Sequence, residues 1–449
     1  MGSRHVAFIG VALLALGTAV SAGEIDLHGF GFVRGIGTGG QPPWTEGGWG
    51  RLTEGADAPG ETAWTGRAKL HLGLDWRPVD KLLIHVHGIA RAEPGAAGGD
   101  RFGVPEAYVQ YQPELSLTLS MRIRAGLMFP GTSLENPGPL WSSPYTITLS
   151  ALNTWTAEEL RLTGLEGRLF WSDGRDTLHV GGTGFVANDT LGTLIAWRGW
   201  SMSDRFTVAG ELLPLPPLFS LQDDGAFFRQ RDDGTVPIDE IDDHLGWMAR
   251  AGWERLDRAT LQVAYFDNGG DRLLYGGQYS WDTRFWVMGG KLRLGHGLEL
   301  LAEGIIGNTL MGLETPEVEE YTDPYDTPSS TPYPYPYPYP YPPTTPEPAT
   351  GYVDVDFATA YGMLSWQRSP VRVSLRYDWF NNKDRDGTAE DGNEDGQAVT
   401  IAVFWTPIEH LRLGAEFLDL RSQRPAAEQS GADPDTDAWK ATLEVRVSF

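Results

Sequence analysis

The stretch "AWTGRAKLHLGLDWRPVDKLLIHVHGIARA", Ala63 to Ala92, sorts its side chains by parity. Thr65, Arg67, Lys69, His71, Asp75 and Arg77 stand on one side, and Trp64, Ala68, Leu70, Leu72, Leu74 and Trp76 on the other. A period of two with one polar and one apolar face is a β-strand. Pro78 to Asp80 supplies a tight turn, after which Lys81 to Ala92 returns with His85 and His87 on the polar side. The same alternation recurs from Leu115 to Met128, from Val371 to Phe380 and at the C-terminus.

Extended along the chain, this pattern predicts sixteen strands. They lie near residues 24–35, 63–77, 81–92, 102–112, 115–128, 158–172, 176–187, 245–256, 259–267, 281–294, 298–310, 353–367, 371–381, 396–406, 410–420 and 437–449. Their connections alternate between tight turns and long loops. An even strand count with short turns at one end and long loops at the other describes a transmembrane antiparallel β-barrel, in which closure removes every unpaired edge. Residues 188–244 read as one large loop, although two further strands, Leu191 to Trp200 and Arg205 to Leu213, would raise the count to eighteen. In two strands the apolar parity switches, near Gly164 and near Gly289 and Gly290, which predicts a β-bulge at each.

Composition agrees with an exported barrel. The 449-residue chain has 56 glycines, 17 tryptophans and no cysteine, which excludes a disulfide framework, a thiol nucleophile and a Cys-bound metal. Arg4 and His5 precede an apolar run from Val6 to Val20 closed by small residues, so residues 1–22 are expected to be a secretory signal. Residues 23–449 then form a single barrel domain. The net charge of −25 leaves no basic face for nucleic acid, and the acids concentrate in the predicted long loops. There they could bind divalent cations or, through them, lipopolysaccharide phosphates. Thr331 to Pro348, "TPYPYPYPYPYPPTTPEP", falls in the long loop 311–352. It should be an extended polyproline rod at the cell surface.

The terminal segment "WKATLEVRVSF" puts Trp439, Leu443, Val445, Val447 and Phe449 on one face. It resembles the last strand of bacterial outer-membrane proteins, and "IDLHGFGFVRGIGTGG", Ile25 to Gly40, resembles the first strand of porins. Together these place the chain with the bacterial outer-membrane porin superfamily (general, maltoporin-like or phosphate-selective), without a subfamily. The resemblance implies the bacterial outer membrane as location, recognition by the barrel-assembly machinery through the last strand, contact with lipid and lipopolysaccharide, and a homotrimer. It also implies that the third long loop, residues 129–157, folds inward as a constriction. Glu135 is its one acid in the stretch 130–157, beside Trp141, Tyr145 and Trp155, which argues against an acidic eyelet.

Alternation turns Arg67, Lys69, His71, His85, His87, Arg122, Arg124, Arg161 and Arg168 toward the lumen, because Arg or Lys facing lipid at the midplane costs about 2–4 kcal/mol. A basic arc favours anions, diluted by Asp75, Glu299, Glu303, Asp354 and Asp356. Phe30, Phe32 and Phe404 are also candidates for the lumen, whereas Trp281 and Trp379 belong with the interfacial girdles. "NKDRDGTAED", Asn382 to Asp391, spaces Asp384, Asp386 and Asp391 as in a calcium-wrapping turn but lacks the closing glutamate. Asp239 to His244 gathers acids beside a histidine, yet no serine-nucleophile, phosphate-loop or zincin motif gives catalysis positive support. The expectation is a passive diffusion channel for small hydrophilic solutes with a weak anion preference, without enzyme activity or resident cofactor. The competing expectation is a closed barrel that works as a surface adhesion or structural protein through its acidic loops.

Overall fold

The computed structural model describes residues 23–58, 60–92, 101–223, 225–231, 234–312, 351–388 and 390–449. The expected signal and nearly all of the tyrosine–proline loop lie outside them. Sixteen strands close into one barrel. They are β1 (Glu24–Gly39), β2 (Thr62–Val79), β3 (Leu82–Arg91), β4 (Phe102–Tyr111), β5 (Leu119–Met128), β6 (Leu162–Ser172), β7 (Asp176–Val186) and β8 (Gly246–Arg255). The second half comprises β9 (Ala259–Asp267), β10 (Asp282–Gly295), β11 (Leu298–Gly312), β12 (Tyr352–Arg368), β13 (Val371–Asp384), β14 (Glu394–Ile408), β15 (Leu411–Gln423) and β16 (Asp435–Ser448).

Each strand pairs antiparallel with the next, and β1 closes on β16 from Phe30 opposite Ser448 to Gly39 opposite Trp439. Phe449 seals the seam by exchanging two 3.0 Å backbone hydrogen bonds with Gly29. Outward positions such as Leu70, Leu165, Met288, Leu375, Ile401, Phe417 and Val445 are exposed and apolar around the wall. A wall of that kind is stable in lipid, and closure satisfies the backbone there.

The two extra strands are not formed. Leu194–Arg198 is one turn of π-helix, and residues 205–213 carry no strand. Both segments are largely buried inside the barrel. The two expected bulges are absent as well: pairing runs unbroken through Gly164 and through Gly289 and Gly290, and the irregularity in β10 lies between Arg293 and Gly295. The apolar residues change face because the lumen itself turns apolar. Leu162, Phe285 and Val287 point inward into a packed cluster, while Leu165, Leu169 and Met288 point out to lipid.

Helix α1 (Ala151–Glu159) belongs to the third long loop and lies within the barrel. Ser150 caps its N-terminus, with Oγ accepting from Asn153 N at 3.2 Å. At the other end Arg161 donates to the carbonyls of Thr156 and Ala157 at 2.8 and 2.9 Å, where a cation suits the helix dipole. Leu152 and Trp155 of α1 pack with Leu191, Ile195, Trp200 and Met202 of the fourth long loop and with Phe185, Phe266, Phe285, Phe357 and Phe380 of the wall. This is a hydrophobic core inside a membrane barrel.

Candidate channel lumen

The third long loop, residues 129–157, is held inside the barrel by carboxylates of the wall. Glu303 of β11 accepts from Leu134 N at 2.8 Å, and Glu416 of β15 accepts from Ile147 N and Thr148 N at 2.5 and 2.9 Å. Glu135 is fully buried and bonds to Arg376 Nη1 at 2.5 Å, Ser150 Oγ at 2.7 Å and Asn153 Nδ2 at 2.8 Å. It is therefore an anchor and not part of an eyelet. Trp141 stacks on Phe129 with 4.3 Å between ring centroids and meets Phe206 edge-on. Tyr145 donates to Glu299 at 3.3 Å beneath Arg372, and Trp155 lies in the core. Leu140 and Trp141, both left-handed (φ 55° and 54°), form the strained tip of the loop.

The fourth long loop is a second occupant that sequence reasoning left outside. Asp204 reaches the wall between Arg34 Nη1 at 2.6 Å and Lys69 Nζ at 3.3 Å. Arg198 pairs with Glu158 at 2.8 Å, tying this loop to α1. Glu211 receives Arg91 at 3.1 Å and also Arg205. Several loop acids thus face inward as counter-charges, and the acidity of the chain is not wholly an external feature.

The nine basic residues assigned to the lumen by parity are engaged by groups on the wall and on the loops. Arg67 contacts Glu54 of the first long loop at 3.4 Å, and Lys69 holds Asp204. Arg122, Arg124 and Arg168 surround Glu166 at 3.6, 2.8 and 3.0 Å. Arg161 caps α1 with its guanidinium 3.5 Å from the Phe129 ring. His71 Nδ1 lies 3.0 Å from His87 Nε2, and His85 Nδ1 lies 2.6 Å from Asp75 Oδ1. A continuous free basic arc on this side is not what the structure holds.

Arg161 and Arg250 donate to loop carbonyls and have no carboxylate within 4 Å among the described residues, and a further cation of that kind lies at the β1–β16 seam. Arg446 stacks over Phe30 at 3.5 Å and otherwise reaches only Ser142 Oγ at 3.5 Å, with no carboxylate within 4 Å among the described residues. Arg412 lies over Phe404 at 4.1 Å and shares Glu444 with Arg34. Arg446 and Arg412, with Phe30, Phe32, Trp141 and Phe206, line a cavity of about 40 Å³ between the wall and both inward loops. Sequence reasoning missed Arg446, although its parity against Leu443, Val445 and Val447 carried the signal.

Elsewhere, Asp384, Asp386 and Asp391 spend their oxygens on the backbone of their own turn, accepting from Gly392 N, Thr388 N and Asn393 N. They are not among the carboxylate and histidine groups that converge on one point among the described residues. Asp242 and His244 do come together, with Nδ1 3.3 Å from Oδ1, and Asp242 also accepts from Ser280 Oγ at 2.6 Å. Trp281 is buried in a loop cluster and does not join the girdle.

No protein-family model and no curated protein matches the sequence. Among solved structures the chain is similar to the outer membrane channel DcaP of Acinetobacter baumannii (12% identity, 96% of this chain and 99% of that one, TM-score 0.49). It is likewise similar to OmpF of Salmonella typhi in complex with daunomycin (12%, 95% and 98%, TM-score 0.49) and to the anion-selective porin of Comamonas acidovorans (10%, 95% and 99%, TM-score 0.48). The closed sixteen-strand wall with its apolar outer face gives the chain the architecture of a transmembrane antiparallel β-barrel.

Proposed function

We propose that the protein is a passive channel for small hydrophilic solutes, narrowed jointly by its third and fourth long loops and weakly selective for anions. The observation that carries this is Arg446, a lumen cation with no carboxylate within 4 Å among the described residues, at the gap between wall and loops. Arg161 and Arg250 likewise have no carboxylate partner but tie down loop carbonyls, whereas Arg446 holds no loop carbonyl, and a solute path has use for such a charge. A homotrimer, as in the trimeric porins it resembles, would be the working assembly. Conductance of the purified barrel in a planar bilayer under a potassium chloride gradient is the test. Open steps are expected with a reversal potential toward chloride, and Arg446→Glu should move that potential toward potassium. The packed apolar core favours a second reading, a closed surface protein that acts through its loops. Silence from a correctly folded barrel would select it.

A further inference from the structure

We propose that the protein carries a site for a first-row divalent transition metal, such as Zn2+, on the lumen wall at the short-turn end. Its ligands are Asp26, His28 and Asp75. Their ligand atoms all lie within 4.8 Å of one another. Strand register creates the cluster: Asp26 of β1 sits opposite Asp75 of β2, and His28 is the next lumen-facing residue along β1. His28 Nδ1 is buried without a hydrogen-bond partner, 3.6 Å from Asp26 Oδ2. A buried imidazole nitrogen left unsatisfied is costly unless something else occupies its lone pair.

Two further features belong to a built site. Gly73 stands opposite His28, and a Cβ there would lie 2.5 Å from His28 Nε2, so the glycine makes room for the ring to lie across β2. Asp75 is held by His85 Nδ1 at 2.6 Å, the kind of outer contact that orients a metal-binding carboxylate. One imidazole and two carboxylates with water in the remaining position suit Zn2+ or Co2+, whereas an imidazole donor disfavours Ca2+ and Mg2+. Arg77, 3.5 Å from Asp75 and over a third exposed, is the cation that such an ion would displace.

The test is calorimetric titration of the folded full-length barrel in detergent with Zn2+, paralleled by Co2+ absorption. One ion per chain is expected, with a Co2+ spectrum showing nitrogen ligation, and excess Ca2+ should not compete. His28→Ala should weaken binding at least tenfold and Asp26→Asn should do likewise. His85→Ala, which removes only a positioning group, should weaken it about 10–100-fold. His244→Ala, in the separate acidic cluster of the fourth loop, should leave it unchanged. Heat-modifiable migration establishes that each variant is folded. Absence of binding to the folded wild type, or binding that survives His28→Ala and is lost in His244→Ala, would overturn the proposal. The readout is independent of whether the barrel conducts.

Discussion

Arg376 shows how single residues decide whether the lumen is open. It is fully buried and donates to Glu135, Asp378 and the carbonyls of Thr148 and Leu149, so one guanidinium joins the wall to the third loop. Arg376→Met would strand two carboxylates in the interior and should cost about 3–5 kcal/mol in urea unfolding of the reconstituted barrel. Asp204 and Asp189 give the fourth loop opposite responses to pH. Burial raises Asp204, but Arg34, Lys69 and Lys440 outweigh it and hold the carboxyl far below its usual range. Its contribution is therefore present above about pH 4 and lost as pH falls. Asp189 is pushed up to about 7 by burial and by Asp242 and Glu240, against the hydrogen bond from Ile241 N. A raised carboxyl favours the folded loop when protonated, so its contribution is full below about pH 4 and declines as pH rises to about 7. Amide protection factors in the fourth loop, corrected for the intrinsic pH dependence of exchange, should be largest near pH 4–6, and Asp189→Asn should reduce the loss of protection toward pH 8. Parity placed the nine basic residues on the polar face of the sequence pattern. Their neutralisation was only partly legible: Glu166 and Asp75 lie on strands, but Glu54 and Asp204 arrive from loops whose path has no periodicity to read.

At the scale of elements, all sixteen strands were legible because lipid imposes a strict apolar parity on one face. The errors came from assuming that the other face is uniformly polar. Phe185, Phe266, Phe285, Phe357 and Phe380 point inward toward the long-loop ends of their strands and build a core with α1. In β6 and β10 this appeared as a break in parity and suggested bulges. The physical signal of a filled lumen was therefore present in the sequence and attributed to backbone geometry. Helix α1 was not foreseen, since nine residues with apolar groups on all sides offer no amphipathic period. Its stability depends on its ends. Ser150→Ala removes the cap and a 2.7 Å bond to Glu135, and should cost about 1–2 kcal/mol and increase proteolytic cleavage within residues 130–150.

For the whole molecule, the third and fourth loops behave as one body. Trp155 and Trp200 meet edge to face with centroids 6.1 Å apart, and both pack near Phe357 of the wall. Glu159 binds both Trp155 Nε1 and Leu194 N, and Glu158 receives Arg198, so polar ties parallel the apolar contact. Residues that share a core and a polar network are energetically coupled, typically by about 0.5–3 kcal/mol. Trp155→Ala or Trp200→Ala alone should each cost about 3–5 kcal/mol. The double variant should cost clearly less than their sum, because the first truncation already removes the shared packing. Conductance should follow the same logic. Either truncation loosens the common body, so each single variant should open to nearly the same enlarged step and the double should add little. Additive costs and two distinct conductance increments would instead mean that each loop closes its own part of the barrel, and the lumen would have to be treated as two independent constrictions.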